Sequence, residues 1–129
     1  LPLTTANRIS TLSYSSLALG LLSGKIGPDR VFSGDDQRKG NPRFSTENRR
    51  KVASFAEAIS HVARSSDATI AQIVIAWTLA QPGVNFALCG ARNPAQARDN
   101  ARAGEIRLSP EDLSTIDRAI SAWLSAMDG

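Results

Sequence analysis

Two short apolar runs, far apart in the chain, constrain the fold more than any other feature of this sequence. Residues 9–14 (ISTLSY) and 84–89 (VNFALC) have the length and the apolar content of β-strands. Helical patterns lie between them, so we expect the strands to pair in parallel through a right-handed crossover. A parallel sheet needs both faces covered and more than two strands. The sequence therefore predicts a piece of a larger α/β fold.

Four helices and one long loop are predicted around these strands. Apolar residues at helical spacing, with capping residues before them, predict helices over 45–64, 69–80, 94–103 and 109–125, with Gly104 as the cap of the third. The predicted helix over 69–80 is apolar almost all round and should be buried. Residues 26–44 are rich in glycine, proline and charge, and a loop of this length is either a lid or binding loop or disordered.

Charged and reactive residues outside the strand ends receive structural interpretations. The basic run 49–51 near a helix start is expected to be a solvated face, and His61 a surface residue. Cys89, the single cysteine, is expected to be a small buried hydrophobe. One cysteine excludes an internal disulfide, which favours the cytoplasm.

The composition argues against two classes of partner. The first 51 residues carry nine Lys and Arg against four Asp and Glu, but no nucleic-acid recognition motif accompanies this basic charge. No apolar run approaches the roughly 20 residues that span a bilayer. We therefore expect neither nucleic acid nor membrane as a partner.

The second apolar run leads into a pattern that favours an anion. Gly90 and Arg92 follow the strand, and Asn93 then precedes Pro94 and Gln96 as a helix start. A helix N-terminus offers free N–H groups and the positive end of a dipole, and arginine adds a permanently charged, forked donor. The expected ligand is a phosphate.

The first apolar run is followed by a similar but less specific segment. Residues 15–25 contain two glycines, several serines and a terminal lysine, which suggests that backbone approaches an anion. The segment is not a P-loop, because the spacing of its glycines and lysine differs.

Together these two segments resemble the C-terminal portion of the aldo-keto reductases. The resembling stretches are Tyr-Ser-Ser-Leu at 14–17, Gly-Leu-Leu-Ser-Gly-Lys at 20–25, Gly-Ala-Arg at 90–92 and Gln96 with Asp-Asn at 99–100. Residues 76–79 and 81–84, between the two segments, and residues 108–113, after them, also resemble the family. The resemblance implies a (β/α)8 barrel of which residues 1–129 are the C-terminal cofactor-binding segment. It places the 26–44 loop after the seventh strand and the 109–125 helix at the end, and it implies a nicotinamide cofactor, usually NADPH.

The resemblance also implies a role for each matching residue. Tyr14 would stack on the nicotinamide. The residues expected to line the pyrophosphate are Ser15, Leu17, Gly20, Ser23 and Lys25. Gly90 and Arg92 would meet the adenosine ribose and its 2′-phosphate. Gln96, Asp99 and Asn100 would hold the adenine end.

This chain departs from the family pattern in ways that limit the expected function. Ser16 replaces the usual proline and Asp99 the usual glutamate, and both changes are expected to weaken the site. The Tyr, Lys, Asp and His of the family's chemistry cannot be assembled here, because the only tyrosine is Tyr14.

We therefore expect NADP(H) binding without catalysis, with a small carbonyl substrate only in a complete enzyme. Two alternatives stay open: a regulatory nucleotide-binding module like the β subunits of potassium channels, and a truncated product that binds nothing. Exposed barrel edges predict self-association.

Overall fold

The computed structural model describes residues 1–127 and contains one parallel strand pair. Strand β1 is Leu12–Ser13 and strand β2 is Phe86–Ala87, with Leu12 opposite Phe86 and Ser13 opposite Ala87. The predicted parallel pairing is confirmed. Both strands are shorter than the six-residue runs that predicted them, although backbone hydrogen bonds between the runs continue on either side of the strands, from Asn85 to Thr11 and from Leu88 to Ser13.

Helices make up most of the rest of the described chain. The α-helices are α1 (Pro2–Ala6), α2 (Thr46–Ala58), α3 (Ser60–Ser65), α4 (Ile70–Ala80), α5 (Pro94–Arg102) and α6 (Pro110–Met127). Short 3₁₀ segments cover Ala18–Ser23, Pro42–Phe44 and Ala103–Glu105. The loop 26–44 ends in the second of these.

Three local predictions differ from the structure. The helix predicted over 45–64 is interrupted at Ile59, whose backbone (φ −99°, ψ 3°) leaves the helical region while its side chain is fully buried. The bend brings Val62 and Ala63 into the core as well. Gly104 is not a helix cap, because it lies inside a 3₁₀ turn, and the short helix α1 was not predicted.

The core lies between α2, α3, α4 and α6. Helix α4 is buried on nearly all sides, as its apolar sequence predicts. Trp123 of α6 packs against Phe55 of α2, with ring centroids 6.1 Å apart. The buried residues of this core are Phe55, Ile59, Val62, Ala63, Ile73, Val74 and Ile116.

Arg49 fastens the 26–44 loop to α2, which corrects the expectation of a solvated basic face. Its side chain is only 7% exposed. One guanidinium nitrogen, Nη1, donates to the carbonyl oxygens of Gly27 (2.9 Å) and Arg30 (2.6 Å). The neighbouring Arg50 is exposed, as expected. A buried cation is stable here because carbonyl oxygens replace its water.

The middle of the loop is organised around Phe32. Its ring meets Phe44 edge-on at 5.6 Å, and the guanidinium groups of Arg38 and Arg49 lie 4.7 and 5.5 Å from its centroid. Arg38 also pairs with Asp36. Hydrogen bonds from the Arg38 side chain and backbone hold the pKa of the Asp36 carboxyl at about 2. These contacts give the loop a defined conformation.

Replacing Arg49 with methionine should lower the free energy of unfolding by about 2–3 kcal/mol, because two loop carbonyls lose a charged donor. Urea unfolding followed by circular dichroism measures this change. Arg50→Met, one residue along the same helix, is the matched control and should leave the midpoint nearly unchanged. Equal midpoints for the two variants would contradict the anchoring role of Arg49.

Candidate nucleotide-binding site

The strand pairing brings the two predicted phosphate segments to one edge of the sheet. Because β1 and β2 run in parallel and in register, residues 14–25 and 88–100 leave the strands on the same side. The Leu88 N–H donates to the Ser13 carbonyl at 2.7 Å, which extends the pairing to the point where both segments begin. The carboxyl ends of parallel strands are where such folds bind ligands.

The first segment is dominated by left-handed backbone. Ser15, Ala18 and Leu19 have φ values of 63°, 47° and 57°, which are uncommon for residues with a side chain. Gly20 and Gly24 follow with φ values of 86° and 73°. Non-glycine residues held in this region cluster at functional sites in proteins.

Side-chain and backbone contacts fix the end of this segment. The Ser23 hydroxyl donates to the Gly20 carbonyl at 2.6 Å and accepts from the Lys25 N–H at 3.2 Å. A Cβ added to Gly24 would lie 3.1 Å from the Ile70 Cβ, so the backbone there packs directly on α4. Lys25 itself is exposed.

The remaining predicted residues of this segment lie in different surroundings. Tyr14 is 82% exposed at the end of β1, and Ser15 is exposed beside it. Leu17 is half-buried and packs against the core. The structure thus places Tyr14, Ser15 and Lys25 on the surface, whereas Leu17 anchors the segment.

The second segment begins α5 as the sequence predicts. The Asn93 side chain accepts from the Gln96 N–H at 2.9 Å. Gln96 also reaches back, but to the Arg92 N–H at 2.9 Å rather than to the cap residue itself. The Asn100 side chain donates to the Gly90 carbonyl at 3.2 Å. Gln96 and Asn100 therefore hold the 90–92 turn against α5.

The side chain of Arg92 has no partner in the described part of the chain, whereas the main chain of Asp99 has a structural role. Both side chains are exposed, and within residues 1–127 the Arg92 guanidinium makes no hydrogen bond or ion pair. The Asp99 carbonyl accepts from the Gln72 side chain at 2.8 Å, which ties α5 to α4. Sequence reasoning missed this role of Gln72. The sequence feature that could have indicated this role is the capping box of Thr69 and Gln72, which places Gln72 at the start of α4.

The arrangement suits an anion better than a metal ion. The described residues bring together no group of three His, Cys, Asp or Glu side chains that could bind a metal. Cys89 is half-buried, and burial raises the pKa of its thiol, which disfavours the thiolate. Among residues 1–127 no helix combines the length and hydropathy that crossing a membrane requires.

Comparison with known families decides the relationship of the chain. The sequence profile of the aldo/keto reductase family matches residues 1–121. This chain belongs to the aldo/keto reductase family. The resemblance predicted from the two strand-end segments is thereby confirmed.

Individual relatives extend this result. The chain is 32% identical over 126 residues to the aldo-keto reductase YhdN of Bacillus subtilis, covering 97% of this chain and 38% of the relative. It is 37% identical to the NADH-specific methylglyoxal reductase of Escherichia coli, over 90% of this chain and 35% of that reductase. It is 28% identical to a probable voltage-gated potassium channel subunit beta of Arabidopsis thaliana, covering 95% and 38%.

A solved aldo-keto reductase gives the structural counterpart. The glycerol dehydrogenase AKR11B4 from Gluconobacter oxydans superimposes with a TM-score of 0.83 at 28% identity, covering 94% of this chain and 37% of the dehydrogenase. The chain thus spans less than two fifths of the length of these relatives. Two parallel strands with their helices correspond to part of an aldo-keto reductase barrel, in agreement with the predicted fold class.

Replacing Gln96 with alanine should speed hydrogen exchange of the Arg92 amide about two- to tenfold, because that N–H loses its acceptor. Exchange measured by NMR at constant pH tests this. Arg98→Ala, an exposed position on the same helix, is the control and should leave the Arg92 amide unchanged. An unaltered exchange rate in the Gln96 variant would show that the turn is held by other contacts.

Proposed function

We propose that residues 1–129 form the C-terminal, NADP(H)-binding segment of an aldo-keto reductase that reduces aldehydes or ketones to alcohols when its barrel is complete. The observation that carries the proposal is the parallel register of β1 and β2, which brings both phosphate-type segments to one edge. Family membership supports a nicotinamide cofactor. We further propose that the protein is cytoplasmic.

The residues present suit the phosphate groups of a dinucleotide. Lys25 and Arg92 supply exposed cations, one on each segment, and α5 directs its N-terminal N–H groups beside Arg92. In the proposal Tyr14 stacks on the nicotinamide, and the pyrophosphate lies along Ser15, Leu17, Gly20, Ser23 and Lys25. Gly90 and Arg92 meet the ribose phosphate, and the adenine end is held by Gln96, Asp99 and Asn100.

Arg92 is the residue that favours NADPH over NADH in this proposal. A 2′-phosphate needs a cation, and the guanidinium of Arg92 has no other partner within the described chain. One relative is named an NADH-specific reductase, so membership of the family does not by itself set this preference.

The chain alone is proposed not to catalyse reduction. When bound, the cofactor supplies the hydride, but a carbonyl acceptor also needs a proton donor at its oxygen. The sequence has one tyrosine and one histidine. Tyr14 is assigned to the cofactor, and His61 is an exposed residue of α3 that does not follow either strand.

A second candidate is a regulatory module that binds nucleotide without turnover. The similarity to a probable potassium channel subunit beta supports it. The chain covers only 38% of that subunit, as it does of one reductase relative, so an upstream half-barrel fits both candidates. Turnover of a carbonyl substrate by the complete protein distinguishes them, since only the reductase should oxidise the bound nicotinamide. The third candidate is a truncated product that binds no nucleotide. A titration with NADPH tests it, because binding of NADPH would exclude this candidate.

Arg92→Ala should weaken NADPH binding about tenfold or more and NADH binding little, because only NADPH carries the 2′-phosphate. The measurement is a fluorescence titration of each nucleotide with the purified protein. Arg98→Ala, an exposed arginine of the same helix, is the control. Equal losses for the two nucleotides would contradict the assignment of Arg92.

Two further outcomes of this titration bear on the proposal. No NADPH binding by the unaltered protein would favour the product that binds nothing. Adding an aromatic aldehyde to the bound complex should leave nicotinamide absorbance constant, and steady oxidation would contradict the proposed lack of catalysis.

The exposed strand pair also leads us to propose self-association. Leu12, Phe86 and Leu88 are each more than half exposed on or beside the pair. Light scattering should show a mass above 13.7 kDa that rises with concentration. Leu88→Lys should lower this mass, because it places a charge beside the strand pair. Leu124→Lys should leave the mass unchanged, because residue 124 lies on α6. A monodisperse monomer would refute self-association.

A further inference from the structure

The first turn of α4 contacts both of the phosphate-type segments, residues 14–25 and residues 88–100. Ile70 lies against the backbone of Gly24 in the first segment, where an added Cβ would approach the Ile70 Cβ to 3.1 Å. Gln72 donates from Nε2 to the main-chain oxygen of Asp99 in the second segment at 2.8 Å. The two segments therefore meet one turn of helix at positions two residues apart.

The side-chain amide of Gln72 is held in one orientation. Gln72 is only 5% exposed. Its amide oxygen accepts from the Thr69 N–H at 2.9 Å as part of the capping box of α4, and its NH2 group is thereby directed at Asp99. Separating a buried donor from its acceptor leaves both without the water that would replace the bond. Gln72 therefore opposes any displacement of α5 from the start of α4.

The second segment is braced by its own hydrogen bonds, which do not involve Gln72. The Gln96 side chain accepts from the Arg92 N–H at 2.9 Å, and the Asn100 side chain donates to the Gly90 carbonyl at 3.2 Å. These bonds hold the 90–92 turn and α5 together as one unit. Loss of the bond from Gln72 would let this unit shift as a whole, while the groups within it keep their arrangement.

Only a ligand that spans both segments depends on their separation. The two ends of a dinucleotide are covalently joined, so both can bind at once only when the two segments are correctly spaced. We propose that Gln72 is a positioning residue, which places the second segment relative to the first so that one dinucleotide contacts both. The inference rests on the proposed function and adds to it a buried residue outside the proposed cofactor set.

Two ligands distinguish positioning from local support. NADPH spans both segments in the proposed function, whereas adenosine 2′-phosphate carries only the groups assigned to the second. Gln72→Met removes the donor to Asp99 without introducing a charge. It should weaken NADPH binding about two- to tenfold, because the segments are correctly spaced in a smaller fraction of molecules. The affinity for adenosine 2′-phosphate should change by less than about twofold, because this ligand spans nothing. Isothermal titration calorimetry measures both affinities.

Two control variants each share one feature with Gln72→Met. Gln81→Met makes the same change at the other end of α4, where the side chain donates to the Trp77 carbonyl at 3.1 Å, and should alter neither affinity. Thr69→Val removes the hydroxyl of the capping box but keeps the donor to Asp99, and should leave the ratio of the two affinities unchanged. This ratio is the appropriate readout, since loss of folded protein lowers both apparent affinities equally.

Two results would overturn this inference alone. Equal weakening of NADPH and adenosine 2′-phosphate in Gln72→Met would show that Gln72 supports the second segment itself. No weakening of either ligand would show that other contacts set the position of that segment. In both cases, binding of NADPH by the unaltered protein would still uphold the proposed function. Binding of neither ligand by the unaltered protein would overturn the proposed function and this inference together.

Discussion

The burial of α4 is the constraint on which the rest of the structure depends. This helix directly precedes β2 in the chain and packs against the other helices of the core. Both candidate phosphate segments also rest on its first turn. Gly24 contacts Ile70 there, and Gln72 holds the carbonyl of Asp99. The apolar packing of one helix therefore fixes the distance between two segments that are about 75 residues apart in the chain.

Features with local causes could be predicted from the sequence. The start of α5 follows from Asn93, Pro94 and Gln96, which lie within four residues, and the Asn93 side chain accepts from the Gln96 N–H. The parallel pairing follows from two apolar runs separated by helices. Family membership follows from the same strand-end segments, because their residue types and spacing are specific.

Features that depend on distant partners could not be predicted. Arg49 is buried because the carbonyls of Gly27 and Arg30, 22 and 19 residues earlier, fold back to it. The interruption at Ile59 has no glycine or proline to signal it and reflects packing in the core. At the candidate site, the pattern predicted which residues gather at the strand ends. It could not show that the side chains of Gln96 and Asn100 bond to the 90–92 turn.

The attachment of α5 through residue 99 has a consequence for what that position can carry. The bond from Gln72 reaches a main-chain oxygen, which every amino acid possesses. The side chain at position 99 is exposed and carries no part of that attachment. The position of the helix therefore does not depend on which helix-compatible side chain stands at residue 99. If the proposed function holds, the side chain that meets the ligand and the main-chain oxygen that positions the helix are separate groups of one residue.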